Sequence, residues 1–89
     1  GTSSWEDEKA KKAQQRKLKK READITERLA ALSTEKRRLE DAMALPANYT
    51  DGAKAKNLLK DIETIEEEMG RLNNEWLEVA EALGDTEAL

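Results

Sequence analysis

Two apolar stripes in this chain mirror each other about a single point, and few folds can satisfy both. Leu18, Ile25, Leu29, Leu32, Leu39 and Met43 keep a heptad rhythm, as do Leu58, Ile62, Ile65, Met69, Leu72, Trp76, Val79 and Leu83. Such a rhythm marks a helix that buries one seam against a partner. Folding the chain back between Thr50 and Asp51 sets Met43 opposite Leu58, Leu39 opposite Ile62 and Leu32 opposite Met69. The same fold sets Leu29 opposite Leu72, Ile25 opposite Trp76 and Leu18 opposite Leu83, and the residue numbers of every pair add to one total. The predicted fold is all-α: a two-helix antiparallel coiled-coil hairpin with a basic N-terminal extension.

Local signals place the boundaries. Ser3 and Ser4 precede Glu6, Asp7 and Glu8, a hydroxyl cap followed by carboxylates where a helix dipole favours them. From Lys9 to Met43 good helix formers run without Gly or Pro, so a long helix can form. Pro46 disfavours helical geometry at Leu45 and lacks an N–H, which stops the helix. Residues 46–52 then read as the reversal, with Thr50 and Asp51 as candidate caps for the second helix and Gly84 as a left-handed C-terminal cap. These signals give helix 1 about 17–45, helix 2 about 53–83 and a tail over 85–89, the hairpin as a whole spanning 17–84. Residues 1–16 project past the end of helix 2 as a basic linker. An isolated segment near the lower limit of about 12 to 15 residues for a stable helix is expected to be frayed or nascently helical. Trp5, in that segment, falls off the seam. The opening Gly1-Thr2-Ser3-Ser4 reads as a cloning remnant on a piece excised from a larger protein.

Heptad lettering puts Leu18, Ile25, Leu32 and Leu39 at d and Glu22, Leu29, Lys36 and Met43 at a. In helix 2, Ala55, Ile62, Met69, Trp76 and Leu83 take a, while Leu58, Ile65, Leu72 and Val79 take d. Lys36 thus faces Ile65 and Glu22 faces Val79, with stems on the seam and charges in water. Lys9, Lys11, Lys12, Arg16, Lys17, Lys19, Lys20 and Arg21 form a run with no acidic residue, whereas residues 61 to 89 hold ten acidic residues and Arg71 as their one base. The arms attract. Exposed pairs contribute little each, so charge selects orientation while the apolar layers supply stability.

Composition removes most chemistry. There is no Cys and no His, hence no disulfide, thiol nucleophile, common zinc ligand or usual general base. No apolar stretch reaches the roughly 18 residues that cross a bilayer, and no signal-peptide core is visible, so a cytoplasmic protein without membrane contact is expected. Gly1, Gly52, Gly70 and Gly84 are too scattered for a phosphate loop. Glu66, Glu67 and Glu68 are consecutive on a helix and diverge, which makes a solvated face. No enzyme activity, metal or cofactor is expected in this segment. The candidate nucleic-acid-binding residues are Lys9, Lys11, Lys12, Arg16, Lys17, Lys19, Lys20, Arg21 and Arg28, a density of bases that contacts phosphates in a salt-dependent way. The run also reads as a solvated lysine-rich linker, since no aromatic interleaves with the bases and the net charge is −4.

The residues from Ile25 to Leu83 resemble the C-terminal domain of ABC-F ATPases, soluble tandem-cassette proteins that include the bacterial Uup type. The resemblance covers residues 18 to 83 and lies in the I-x-x-L-x-x-L opening from Ile25 to Leu32, Leu39-Glu40 before the break, Pro46 and Tyr49 in the reversal, and Trp76-Leu77-Glu78 late in helix 2. The upstream lysine-rich segment looks like that family's linker from the second cassette, without its Tyr-x-x-x-x-Glu opening. The resemblance implies an accessory hairpin that assists binding to DNA or ribosomal RNA, with ATP and Mg held in upstream cassettes of the same chain.

The leading expectation is therefore a monomeric, non-catalytic accessory domain that contacts nucleic acid through its basic arm. The alternative is a protein-interaction or spacer coil that dimerises through Leu45, Leu59 and Leu77. A valyl-tRNA synthetase arm is a third hairpin with a similar pattern, though its lysine-proline reversal is absent here.

Overall fold

The computed structural model describes residues 2–88, with side chains from Ser4 to Thr86. Three helices follow in order: α1 (Thr2–Met43), α2 (Pro46–Tyr49) and α3 (Gly52–Ala88). The two long helices pack against each other along their lengths and α2 forms the reversal. The result is a rod of 72 × 16 × 15 Å, its length set by the 42 residues of α1, which span about 63 Å at about 1.5 Å per residue.

The reversal is built as proline and asparagine chemistry dictates. Leu45 is forced into extended geometry (φ −76°, ψ 130°) and Pro46 opens α2, where its fixed φ fits and its missing N–H is not needed. The Asn48 side-chain amide donates to the Ala42 carbonyl at 2.8 Å, which also accepts the Leu45 N–H at 3.2 Å, so the amide ties α2 to the last turn of α1. Asp51 then caps α3: one carboxylate oxygen accepts from the backbone N–H of Ala53 and of Lys54, both at 3.1 Å. Of the two candidate caps Asp51 does the work, while the Thr50 hydroxyl bonds back to the Pro46 carbonyl.

Ile25, Leu32, Leu39, Val79 and Leu83 are buried. Ile25 is wholly enclosed, in a cluster with Val79 and Leu83 against which Leu18, Leu29 and Leu72 pack. These residues belong to the mirrored stripes, and two interhelical ion pairs report the same antiparallel register. Arg21 meets Glu75 and Arg28 meets Glu68, each one heptad along from the other in opposite directions, as flanking positions of an antiparallel coil must be. Lys36 lies on the seam at 32% side-chain exposure and extends its ammonium to Glu66 at 3.8 Å, the stem-in, charge-out arrangement expected of it.

Four details differ from the sequence expectations. α1 begins at Thr2, so residues 2–16 continue the helix where the sequence predicts a linker, frayed or nascently helical; Gly1 lies outside the described residues. Ser4 consequently sits inside the helix, and the side chain of Ser3 is not among those described. α3 passes through Gly84, which has no positive φ, and reaches Ala88. The Thr86 hydroxyl donates to the Leu83 carbonyl at 2.9 Å, and with the helix continuing to Ala88 that carbonyl is not one of the terminal acceptors a left-handed glycine would serve; Leu89 of the expected tail lies outside the described residues. Trp76 stays 38% exposed and Ile25 is enclosed chiefly by Val79 and Leu83, because a seam only two helices wide cannot close over an indole.

Candidate functional site

Helical periodicity divides the nine candidate bases among different faces of α1. Lys11 falls on the seam stripe, seven residues before Leu18, and is half-buried there together with Gln15. It is turned toward α3. Arg21 and Arg28 flank the seam and are spent on Glu75 and Glu68: Arg21 donates through two nitrogens to both Glu75 carboxylate oxygens, and Arg28 does the same to Glu68 at 3.1 and 3.3 Å. The Arg21 hydrogen bonds hold the Glu75 carboxyl below its ordinary range and, reciprocally, raise the guanidinium. Lys20 reaches Asp24 one turn along at 3.3 Å. With Lys17 it borders a shallow side groove that also contains Asp24 and Glu75, so the bases in that groove face carboxylates of their own chain.

What remains is a set with one orientation. Lys9, Lys12, Arg16 and Lys19 recur at spacings of three and four, the rhythm that keeps residues on one helix face. All four are exposed. With Lys12 and Lys19 at e and Lys9 and Arg16 at b, their stripe follows the flank of α1 on the other side of the seam from Arg21 and Arg28, which stand at g. Among the described residues, Lys12, Arg16 and Lys19 form no ion pair. Their side chains thus carry positive charge to the surface with no bound carboxylate, although the whole chain is acidic at −4.

Trp5 extends the same stripe, four residues before Lys9. Its ring is 65% exposed and the Lys9 ammonium lies 5.3 Å from its centroid, a cation–π contact. Ser4, Trp5, Glu8, Lys9, Lys12 and Arg16 line one open concavity. The sequence expectation that no aromatic accompanies the bases is thus incomplete: none lies within the run from Lys9 to Arg21, but the rhythm that orders the run brings in the residue just before it. The spacing of Trp5, Lys9, Lys12, Arg16 and Lys19 was the available signal.

No group of side chains among the described residues could hold a metal ion, and no helix there is long and apolar enough to cross a membrane. The concavities lined by Trp5, by Val79, by Leu59 and by Met43 are open to solvent, so none of these shields an acid–base pair from water. The arrangement offers surface charge, an exposed ring and a stiff rod.

No curated protein and no solved structure gives a significant match to the chain. The family model described as the ABC transporter C-terminal domain, in contrast, matches residues 8–81, which takes in most of the basic arm, the reversal and nearly all of α3. With the helical hairpin and its reversal accounted for by the same residues, the chain belongs to the ABC transporter C-terminal domain family.

Proposed function

We propose that this chain is a nucleic-acid-contacting accessory domain of an ABC-F ATPase of the Uup type, in which ATP and Mg are handled by cassettes elsewhere in the parent protein. Membership of an ABC C-terminal domain family supports an accessory role. The observation that carries the nucleic-acid reading is the separation of the bases: Arg21 and Arg28 are committed to the hairpin, while Lys9, Lys12, Arg16 and Lys19 are exposed along the other flank of α1. Phosphates are the ligand that such a stripe fits, because lysine and arginine at helical spacing follow a charged backbone without reading bases. The protein is taken to act in the cytoplasm as a monomer, with the rod holding the basic end away from the reversal.

Titration against a DNA duplex and a structured RNA at two salt concentrations tests this. If three to four phosphates are neutralised, raising salt from about 50 to about 200 mM weakens duplex binding roughly 40- to 150-fold. Replacing Lys12, Arg16 and Lys19 together by Glu should abolish binding and leave the helical signal unchanged. Salt-insensitive binding, or binding that survives this triple substitution, refutes the reading.

A second reading has its own observation. Leu45, Leu59 and Leu77 are 56%, 58% and 59% exposed, more apolar surface than a solitary rod requires, and a spacer coil that self-associates through them would show a concentration-dependent mass unaffected by salt. Sedimentation of the chain beside a Leu59→Glu, Leu77→Glu variant distinguishes this from phosphate binding.

A further inference from the structure

We propose that Trp5 is a base-stacking residue which, at the head of the basic stripe, gives the domain a preference for unpaired nucleotides over duplex. The inference rests on the nucleic-acid reading above and adds to it the form of nucleic acid taken. An indole exposed over 65% of its surface at the end of a helix is costly to leave in water, and its neighbours are informative. Lys9, Lys12 and Arg16 share its concavity, with Ser4 and the single carboxylate of Glu8. Trp5 and Arg16 are eleven residues apart on one helix, about 16 Å at about 1.5 Å per residue. An extended strand of two or three nucleotides covers such a distance, its phosphates along Arg16, Lys12 and Lys9 and a base at the ring.

Duplex cannot use the ring in this way, because its bases are already stacked and paired. A single strand can: every base has a π-face, so an aromatic beside a cationic track binds without sequence preference. The Lys9 ammonium lies 5.3 Å from the centroid of the indole, and with 65% of the residue exposed the ring still has surface for a base. Lys9 has a double use in this arrangement, fixing the ring by cation–π attraction and presenting charge to the adjoining phosphate. Glu8 repels a phosphate placed at its side of the concavity, which biases the strand toward the Lys12–Arg16 side.

The test exploits the presence of just two tryptophans. A Trp76→Phe variant makes Trp5 the sole tryptophan, excited selectively over Tyr49, and is titrated with a thymidine oligonucleotide of about 12 nucleotides and with a duplex of the same length. Saturating single strand should quench the Trp5 emission. In the otherwise unaltered 89-residue chain, Trp5→Ala should weaken single-strand binding roughly 5- to 150-fold and leave duplex binding within about twofold, since every phosphate-contacting base is retained. Trp5→Leu, which keeps helix propensity and apolar bulk but has no π-face, should lose as much as Ala, and Trp5→Phe should recover most of the loss. Salt-dependent binding of both forms with unmoved Trp5 emission, or with Trp5→Ala equal to the parent, overturns the stacking role and leaves the phosphate reading standing. Absence of salt-dependent binding to either form overturns both.

Discussion

Ile25→Ala should be the most damaging single truncation in the hairpin. Ile25 has no exposed surface, and it sits where Val79 and Leu83 meet it from α3. Truncation to Ala deletes three carbons, a transfer loss of about 2.4 kcal/mol at about 0.8 kcal/mol each. A cavity contribution comes on top, set by how far the walls can close. The rod is only 16 Å across and the cluster is open to movement on two sides, so collapse is easy and the total should fall near the lower half of the usual range, about 2.5 to 3.5 kcal/mol. A chain of this size is stable by roughly 4 to 13 kcal/mol, and a two-helix rod belongs toward the bottom of that interval. The variant should therefore still fold in buffer but melt early. Urea unfolding followed by helical ellipticity, with an m-value of about 1 kcal/mol/M, should shift its midpoint down by about 2.5 to 3.5 M. Leu77→Ala at a 59% exposed site provides the internal reference, with a loss within about 0.5 kcal/mol. Equal, small losses at both positions would mean that Ile25 is not enclosed, and the antiparallel register would fall with it.

Reversing one charge of the Arg21–Glu75 pair, by Arg21→Glu or Glu75→Arg, should lower the melting temperature, and the double reversal should restore most of it; two additive losses would show that the pair does not set register. Because the hydrogen bonds from Arg21 depress the Glu75 pKa from its ordinary 4.5, their contribution is complete above that value and is lost as pH falls through the lower folded value. Glu75→Gln should accordingly flatten the acid limb of a stability-against-pH curve, and an unchanged limb would contradict the assignment. Asp51→Ala should cost about 1 kcal/mol by removing the cap on Ala53 and Lys54, with Asp51→Asn largely neutral, both read from urea midpoints. Gly70→Ala should stabilise by about 0.5 to 1 kcal/mol, since a Cβ at that helical site meets nothing within 4 Å; a loss would reveal an unrecognised close approach at Gly70.

The hairpin was legible because seam and reversal are written in residue types with few alternatives. Leu18, Ile25, Leu32 and Leu39 can be buried together only on a helix face, and Pro46 after Leu45 permits only a break. The helix ends were harder to read for a physical reason. Gly84 is a strong stop signal in isolation, but α3 continues past it to Ala88, alongside an α1 that itself continues upstream. Tertiary context overrides a propensity of about 1 kcal/mol. The division of the basic run was not legible from its density. Eight bases between residues 9 and 21 look equivalent in one dimension, yet Lys11 turns to the seam and Arg21 is clamped by Glu75. Which bases remain depends on where α3 places its carboxylates, and that information lies more than fifty residues away.

The same division explains how an acidic domain can be asked to approach a polyanion. A net charge of −4 repels phosphate at long range, but screening confines that repulsion to about 10 Å at 0.1 M salt, and the rod is 72 Å long. Glu66, Glu67 and Glu68 lie roughly opposite residues 33 to 36 of α1, about 25 Å or more along the axis from Arg16 at about 1.5 Å per residue, beyond the reach of their field at the basic end. Nearer to that end, Glu75 is already paired, while Glu78, Glu81 and Asp85 of α3 make no ion pair with Lys12, Arg16 or Lys19 among the described residues. The proposed phosphate contact therefore has its bases on one flank of α1 near one end. Binding as proposed would orient the rod, with the N-terminal end against the nucleic acid and the Pro46 reversal directed outward.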